Sequence, residues 1–188
     1  MKKAIIITAP SGAGKSTIAS HVLNEIDELE FSVSATTRKI RQDEEEGVDY
    51  YFISKEDFLE KIKNEEFVEW EEVYNDVYYG TLKSEVERIW AKDKSVLYVV
   101  DVVGAQDLKG YFGNKALSVF IEPPSLEVLK ERLQSRGSES EQSLAKRLER
   151  AKDEIREKDE FDLVIMNEDL AMAKIQAEDE IRNFLYQD

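Results

Sequence analysis

Three observations predict an α/β fold with a parallel sheet covered by helices on both faces. Four short runs rich in Ile and Val, at 4–8, 96–103, 116–121 and 163–166, read as buried strands. Stretches with apolar residues at helical spacing separate them, and the first run passes directly into a glycine-rich loop that opens a helix. Continuous apolar runs mark strands buried on both faces, and their alternation with helical patterns marks a layered α/β architecture.

Taken in order, the strand AIIIT (4–8) leads into the loop APSGAGKST (9–17), after which Ile18, Val22, Ile26 and Leu29 recur at helical spacing. That pattern predicts a helix beginning near Ser16. The runs at 96–103 and 116–121 supply the next core strands. Pro123 and Pro124 then precede a helix carrying Val128, Leu129 and Leu133. The strand at 163–166 is followed by a long amphipathic helix over 170–186 that closes the fold.

Two segments fit this core poorly. Residues 32–83 hold most of the aromatic residues in short alternating runs such as DYYFIS and FVEWEEVY, and read as a small mixed subdomain inserted into the core. Residues 124–158 read as an arginine-bearing helical pair split by RGSESEQS, where Ser138 followed by Glu141 marks a capping box. Such a pair, rising from a sheet, can act as a lid. One domain results, with its core in 1–31, 84–123 and 159–188.

Composition narrows the functional classes. The 188 residues contain 26 Lys and Arg against 41 Asp and Glu, a net charge of −15. That balance argues against broad binding to nucleic acid or anionic membranes, since a phosphate backbone rewards cationic surfaces. A small phosphorylated ligand remains accessible where a few arginines converge. With no cysteine there is no disulfide or thiolate chemistry, and the single His21 cannot build a histidine-rich metal site. The run after MKK is too brief for a signal peptide, and no later stretch is long enough to span a bilayer, so a cytoplasmic location is expected.

The loop carries the first chemistry. Gly12 and Gly14 let successive backbone N–H groups point at a phosphate, Lys15 reaches the β- and γ-phosphate oxygens, and the Ser16 hydroxyl suits Mg²⁺. Ala9, Pro10, Ser11, Ala13 and Thr17 complete the candidate ATP-binding stretch. Ala9 replaces the glycine that usually opens the motif G-x-x-x-x-G-K-[ST]; that position serves the exit from the strand, so alanine is expected to be tolerated at negative φ. The loop identifies a nucleoside triphosphate site without naming the acceptor. Beyond the first helix, Arg38 and Arg41 stand beside Tyr50, two guanidiniums and a phenol suited to a phosphate monoester.

The segments SVSATTR (32–38), EEEGVDYYF (44–52), FVEW (67–70) and YYGT (78–81) follow this loop in order. VVDVVGA (99–105), IEPPS (121–125), ERLQSRG (131–137), KRLERA (146–151) and VIMNED (164–169) continue the series. Together they resemble the guanylate kinase family over nearly the whole chain, which implies a P-loop NTPase-type fold and transfer of the γ-phosphoryl of ATP to GMP. The resemblance implies that Arg38, Arg41, Tyr50 and Tyr79 hold the GMP phosphate, with Glu44 as an orienting acid, and that Ser34, Glu69 and Thr81 hold the guanine. Chemistry supports the last point: guanine presents N1–H and N2–H₂ as adjacent donors to a carboxylate, whereas adenine would face it with a lone pair. Arg132, Arg136 and Arg147 match lid arginines that neutralise charge on the moving phosphoryl group, with Arg150 one turn further on. Asn167, just past a core strand, is a candidate adenine contact. Mg²⁺ would accompany ATP.

Departures from the family pattern are Ile40 and Asp43 in the arginine loop, one extra residue between Glu69 and the tyrosine pair, and Val99 where an aspartate often stands. The extra residue makes Tyr79, rather than Tyr78, the phosphate contact when Gly80 is taken as the anchor. Asp101 is left to help recognise guanine or to orient metal-bound water. Two other readings stay open at this point: a non-catalytic guanylate-kinase-like module that binds phosphorylated peptides, and a kinase for another phosphorylated small molecule. Monomer and homodimer, and dGMP beside GMP as acceptor, also stay open.

Overall fold

The computed structural model describes residues 2–74, 76–135 and 141–187. Its central sheet is built from β1 (Ala4–Thr8), β2 (Leu29–Phe31), β7 (Ser95–Val100), β8 (Ala116–Glu122) and β9 (Leu163–Met166), all parallel, in the order β2-β7-β1-β8-β9. The two-residue period of a strand sorts its side chains to opposite faces. Ile5 and Ile7 of β1, Leu97 of β7, and Val119 and Ile121 of β8 enter one apolar layer. Ala4 and Ile6, Val96 and Tyr98, and Ala116 and Phe120 enter the other. Both layers are roofed by helices, which is why these strands carry apolar residues on both faces over most of their length.

The first layer is covered by α1 (Lys15–Glu25), α5 (Leu126–Ser135), α6 (Glu141–Arg156) and α7 (Leu170–Tyr186). Along α7, Ala173, Ala177, Ile181 and Leu185 recur every fourth residue and are all buried, the stripe expected of a helix lying on a core. Leu129 and Leu133 of α5 and Leu144 and Ala151 of α6 join the same cluster, so the arginine-bearing pair is anchored on the sheet by its own apolar stripe. The second layer is covered by α3 (Lys83–Trp90) and α4 (Val102–Phe112).

Between β2 and α3 stands a second sheet, ordered β4-β3-β6-β5, made of β3 (Ala35–Thr36), β4 (Tyr51–Phe52), β5 (Phe67–Tyr74) and β6 (Val77–Leu82). It carries α2 (Lys55–Lys63), whose first turn is closed by Ser54: the hydroxyl accepts from Asp57 N–H at 3.0 Å. Phe58 stacks on Phe67 with centroids 4.3 Å apart and lies beside Tyr78, giving this sheet a small core of its own.

Two sequence expectations are corrected. Leu29 does not continue the first helix: α1 ends at Glu25 and Leu29 opens the edge strand β2. The third strand stops at Val100, because the Asp101 side chain accepts from Gly104 N–H at 3.0 Å and starts α4, which takes Val102 and Val103 out of the sheet. Ser138 of the expected capping box lies outside the described residues. Among the described residues, no helix is long and apolar enough to cross a membrane.

Candidate active site at the carboxyl ends of the strands

The carboxyl ends of parallel strands leave a crevice where the connecting loops converge, and β1 delivers the loop 9–17 there. Ala9 does not have a positive φ, as its place requires, and its methyl group is buried in the core. Ala13 N–H donates to the Pro10 carbonyl at 3.1 Å and closes the turn. Gly14 is needed twice over: its φ is +105°, and a Cβ there would lie 2.3 Å from the Asn167 side-chain nitrogen. That nitrogen donates to the Ala13 carbonyl at 2.7 Å. Asn167 thus props the loop from below, 2% exposed, with its amide directed at loop backbone.

A cavity of about 620 Å³ opens over this loop. Ser11, Gly12, Lys15, Ser16 and Thr17 line its floor, and Asp101, Arg147, Arg150 and Glu154 its opposite wall. The Lys15 ammonium donates to the Val100 carbonyl at 2.9 Å. Desolvation lowers its pKa, against the attraction of Asp101 and Glu154. Across the cavity, Arg147 donates to the Ser11 hydroxyl at 3.2 Å. Arg150 donates to Asp101 at 2.7 Å and to Glu154 at 2.7 Å, so α6 touches both the loop and the end of β7. Arg132 turns elsewhere and donates to the Asn167 carbonyl at 3.0 Å. Arg136 lies outside the described residues.

A second cavity of about 340 Å³ adjoins Asp101 and faces the inserted sheet. At one end stand Arg41, Tyr50 and Tyr79, with Arg38 directly behind them. Arg38 is held by a bidentate pair to Glu44, both contacts 2.8 Å, and donates from Nε to the Tyr79 hydroxyl at 3.0 Å. Its guanidinium lies 5.2 Å from the Tyr50 ring centroid. Glu44 also accepts from Arg41 N–H at 2.9 Å, and the Arg38 pairing chiefly lowers its pKa to about 2. Alternation along β6 decides between the two tyrosines: Tyr79 faces the arginines, while Tyr78 packs on Phe58.

At the other end of the cavity, Glu69 of β5 pairs across the ladder with Thr81 of β6, whose hydroxyl donates to its carboxylate at 2.8 Å. Burial raises the Glu69 pKa to about 7, the Thr81 bond opposing and Glu71, Asp107 and Asp101 reinforcing. Ser34 lines the same cavity. Gly80 admits the close approach of the two strands, since a Cβ there would stand 2.8 Å from the Glu69 carbonyl and 2.8 Å from Trp70 Cβ.

Two residues that line the cavities, Glu71 and Arg150, and one that lines neither, Glu85, were not assigned a role from sequence. Glu71 lines the second cavity; burial, then Asp101, raises its pKa to about 7. Its only signal is its place two residues after Glu69. Arg150 belongs to the first cavity's wall, as its spacing after Arg147 allows. Glu85 is 2% exposed and accepts from Val33 N–H, Tyr51 O–H and the Arg88 guanidinium, tying α3 to the base of the inserted segment.

Two cavities with phosphate-seeking groups at their facing ends can align two phosphorylated ligands, which defines a phosphotransferase of the P-loop kinase class. The guanylate kinase family model matches residues 1–183, and the chain belongs to that family. It is 50% identical over 186 residues to the guanylate kinase of Porphyromonas gingivalis, covering 98% of this chain and 99% of that one. It is 49% identical over 181 residues to that of Salinibacter ruber, with 96% of each covered. A crystal structure of guanylate kinase from Anaplasma phagocytophilum superposes with a TM-score of 0.77 at 31% identity, covering 99% of this chain and 87% of that one.

Proposed function

We propose that the protein transfers the γ-phosphoryl group of ATP to GMP, giving ADP and GDP, as a cytoplasmic enzyme of purine nucleotide metabolism. The observation that carries this is the second cavity: a buried carboxylate bonded to a threonine at one end, paired arginines and tyrosines at the other. A guanine seated with N1–H and N2–H₂ on Glu69 leaves its phosphate toward Arg38, Arg41, Tyr50 and Tyr79. Adenine would leave the carboxylate without its donors, a mismatch on the order of 10⁴-fold or more when a site is built to hydrogen-bond its ligand.

The reaction needs no side-chain base, because an acceptor phosphate oxygen is already anionic and the work is alignment and charge neutralisation. Lys15 and the loop amides hold the triphosphate, while Arg147 and Arg150 face it from α6 and Arg38 and Arg41 hold the acceptor in line. The donor set at the loop fits Mg²⁺: an exposed Ser16 hydroxyl shares its cavity with the Asp101 carboxylate, both hard oxygen ligands. When bound with ATP, the ion supplies charge neutralisation on the phosphates.

A coupled ADP-release assay with GMP, AMP, CMP and UMP tests the assignment. GMP should be turned over with a kcat/KM at least about 10³-fold above AMP. Preference for AMP would overturn the guanine assignment, and absence of turnover with every nucleotide would overturn the kinase reading.

A further inference from the structure

Glu71 lines the second cavity, and the contacts proposed for base and phosphate leave it without an assigned role. Residues two apart on a strand share a face, so Glu71 lies beside Glu69 on β5, about 7 Å further along. Their cross-strand partners give that displacement a meaning. Glu69 is opposite Thr81, at the end assigned to the base, and Glu71 is opposite Tyr79, whose hydroxyl meets Arg38 at the end assigned to the phosphate. A nucleotide spanning these ends therefore lays its sugar along the stretch between the Glu69 and Glu71 side chains. The core side of that stretch presents Val99, which offers no hydrogen bond, and Asp101, which lines the same cavity as Glu71. Asp101 already accepts from Gly104 N–H and from Arg150, and Glu71 borders the cavity beside it.

A ribose carries two hydroxyl donors, and carboxylates are the side chains that take such hydroxyls in nucleotide sites. The 2′-hydroxyl sits on the carbon next to the one bearing the base, which places it nearest a carboxyl one step along the strand from the base-binding acid. We propose that Glu71 is a specificity-determining residue that accepts a hydrogen bond from the acceptor's 2′-hydroxyl, so that the site favours a ribonucleotide over its 2′-deoxy counterpart. Asp101 keeps its hold on α4 and Arg150.

This inference rests on the GMP reading, and its test separates the two. Steady-state turnover is measured for GMP and dGMP in the intact protein, in Glu71→Ala and in Glu71→Gln, with melting temperature and ATP affinity as checks on folding. The intact protein should favour GMP by about tenfold in kcat/KM, the worth of one hydrogen bond to a charged group. Glu71→Ala should remove that preference by lowering kcat/KM for GMP and leaving dGMP nearly unchanged. Glu71→Gln, which retains an acceptor oxygen, should keep part of it. Equal use of GMP and dGMP by the intact protein, or an equal loss for both in Glu71→Ala, would overturn the role of Glu71 while leaving the kinase assignment in place. Failure of the intact protein to use either nucleotide would instead remove the reading on which the inference stands.

Discussion

A carboxylate that is to accept two N–H groups must be ionised, and Glu69 sits where ionisation is opposed by burial and by neighbouring acids. Its pKa of about 7 in the free protein fixes the sign of a pH effect on the proposed contact: below pH 7 the protonated acid would lose its acceptor pair, and above it the ionised form would accept from guanine. GMP affinity should therefore weaken about tenfold from pH 8 to pH 6, following the falling ionised fraction. The GMP phosphate titrates near pH ~6 as well, so Glu69→Gln is the reference; calorimetric titration should show the extra step in the intact protein and not in the variant. Identical pH profiles would remove Glu69 from base recognition. The loop residues and Glu69 are legible in sequence because their chemistry needs particular residue types at fixed spacing. Asn167 is also marked in the sequence, as a candidate adenine contact, but its place beneath the loop is not, since an amide that meets the Ala13 carbonyl across the fold leaves no local pattern.

At the scale of elements, the β5–β6 ladder is the ruler of the acceptor site. Its register sets Glu69 against Thr81 and Glu71 against Tyr79, and Gly80 keeps the strands close enough to hold that register. Gly80→Ala would press a methyl group into the Glu69 carbonyl, Trp70 Cβ and Phe67, none of which is the loose end of a flexible chain. A displacement of about 1 Å at a reacting site can cost about 10²-fold, so kcat/KM for GMP should fall by about that factor. ATP affinity, read by equilibrium binding, should stay within about twofold, because the loop belongs to the other sheet. An unaltered GMP kcat/KM would mean that this register does not position the acceptor. The buried central strands could be read from composition, being runs of mostly Ile, Val and Leu on both faces. The three-residue β2 and the two-residue β3 and β4 are too short to show a period. The start of α4 was mistaken for strand because a short apolar run looks alike in both states; Asp101, capping Gly104 N–H, is the signal that separates them.

Over the whole molecule, three parts meet at one carboxyl. Asp101 follows β7, accepts from Arg150 of α6 and lines the second cavity together with Glu71 of the inserted sheet. Phosphoryl transfer to a second nucleotide in place of water requires the two cavities to close on each other. Addition of GMP and a non-hydrolysable ATP analogue together should reduce the radius of gyration in small-angle scattering, and neither alone should give the full change. No compaction with both ligands would rule out closure by the inserted segment and the helical pair.

Lys15 shows what the folded chain has arranged in advance. Its long side chain is held on the Val100 carbonyl at the end of β7, so its freedom is already surrendered when the protein folds. Arrival of a triphosphate then exchanges one oxygen neighbour for another, with no search among rotamers. Donor capture should accordingly be governed by diffusion into the crevice, and a lysine substitute too short to reach Val100 would forfeit that readiness together with its charge.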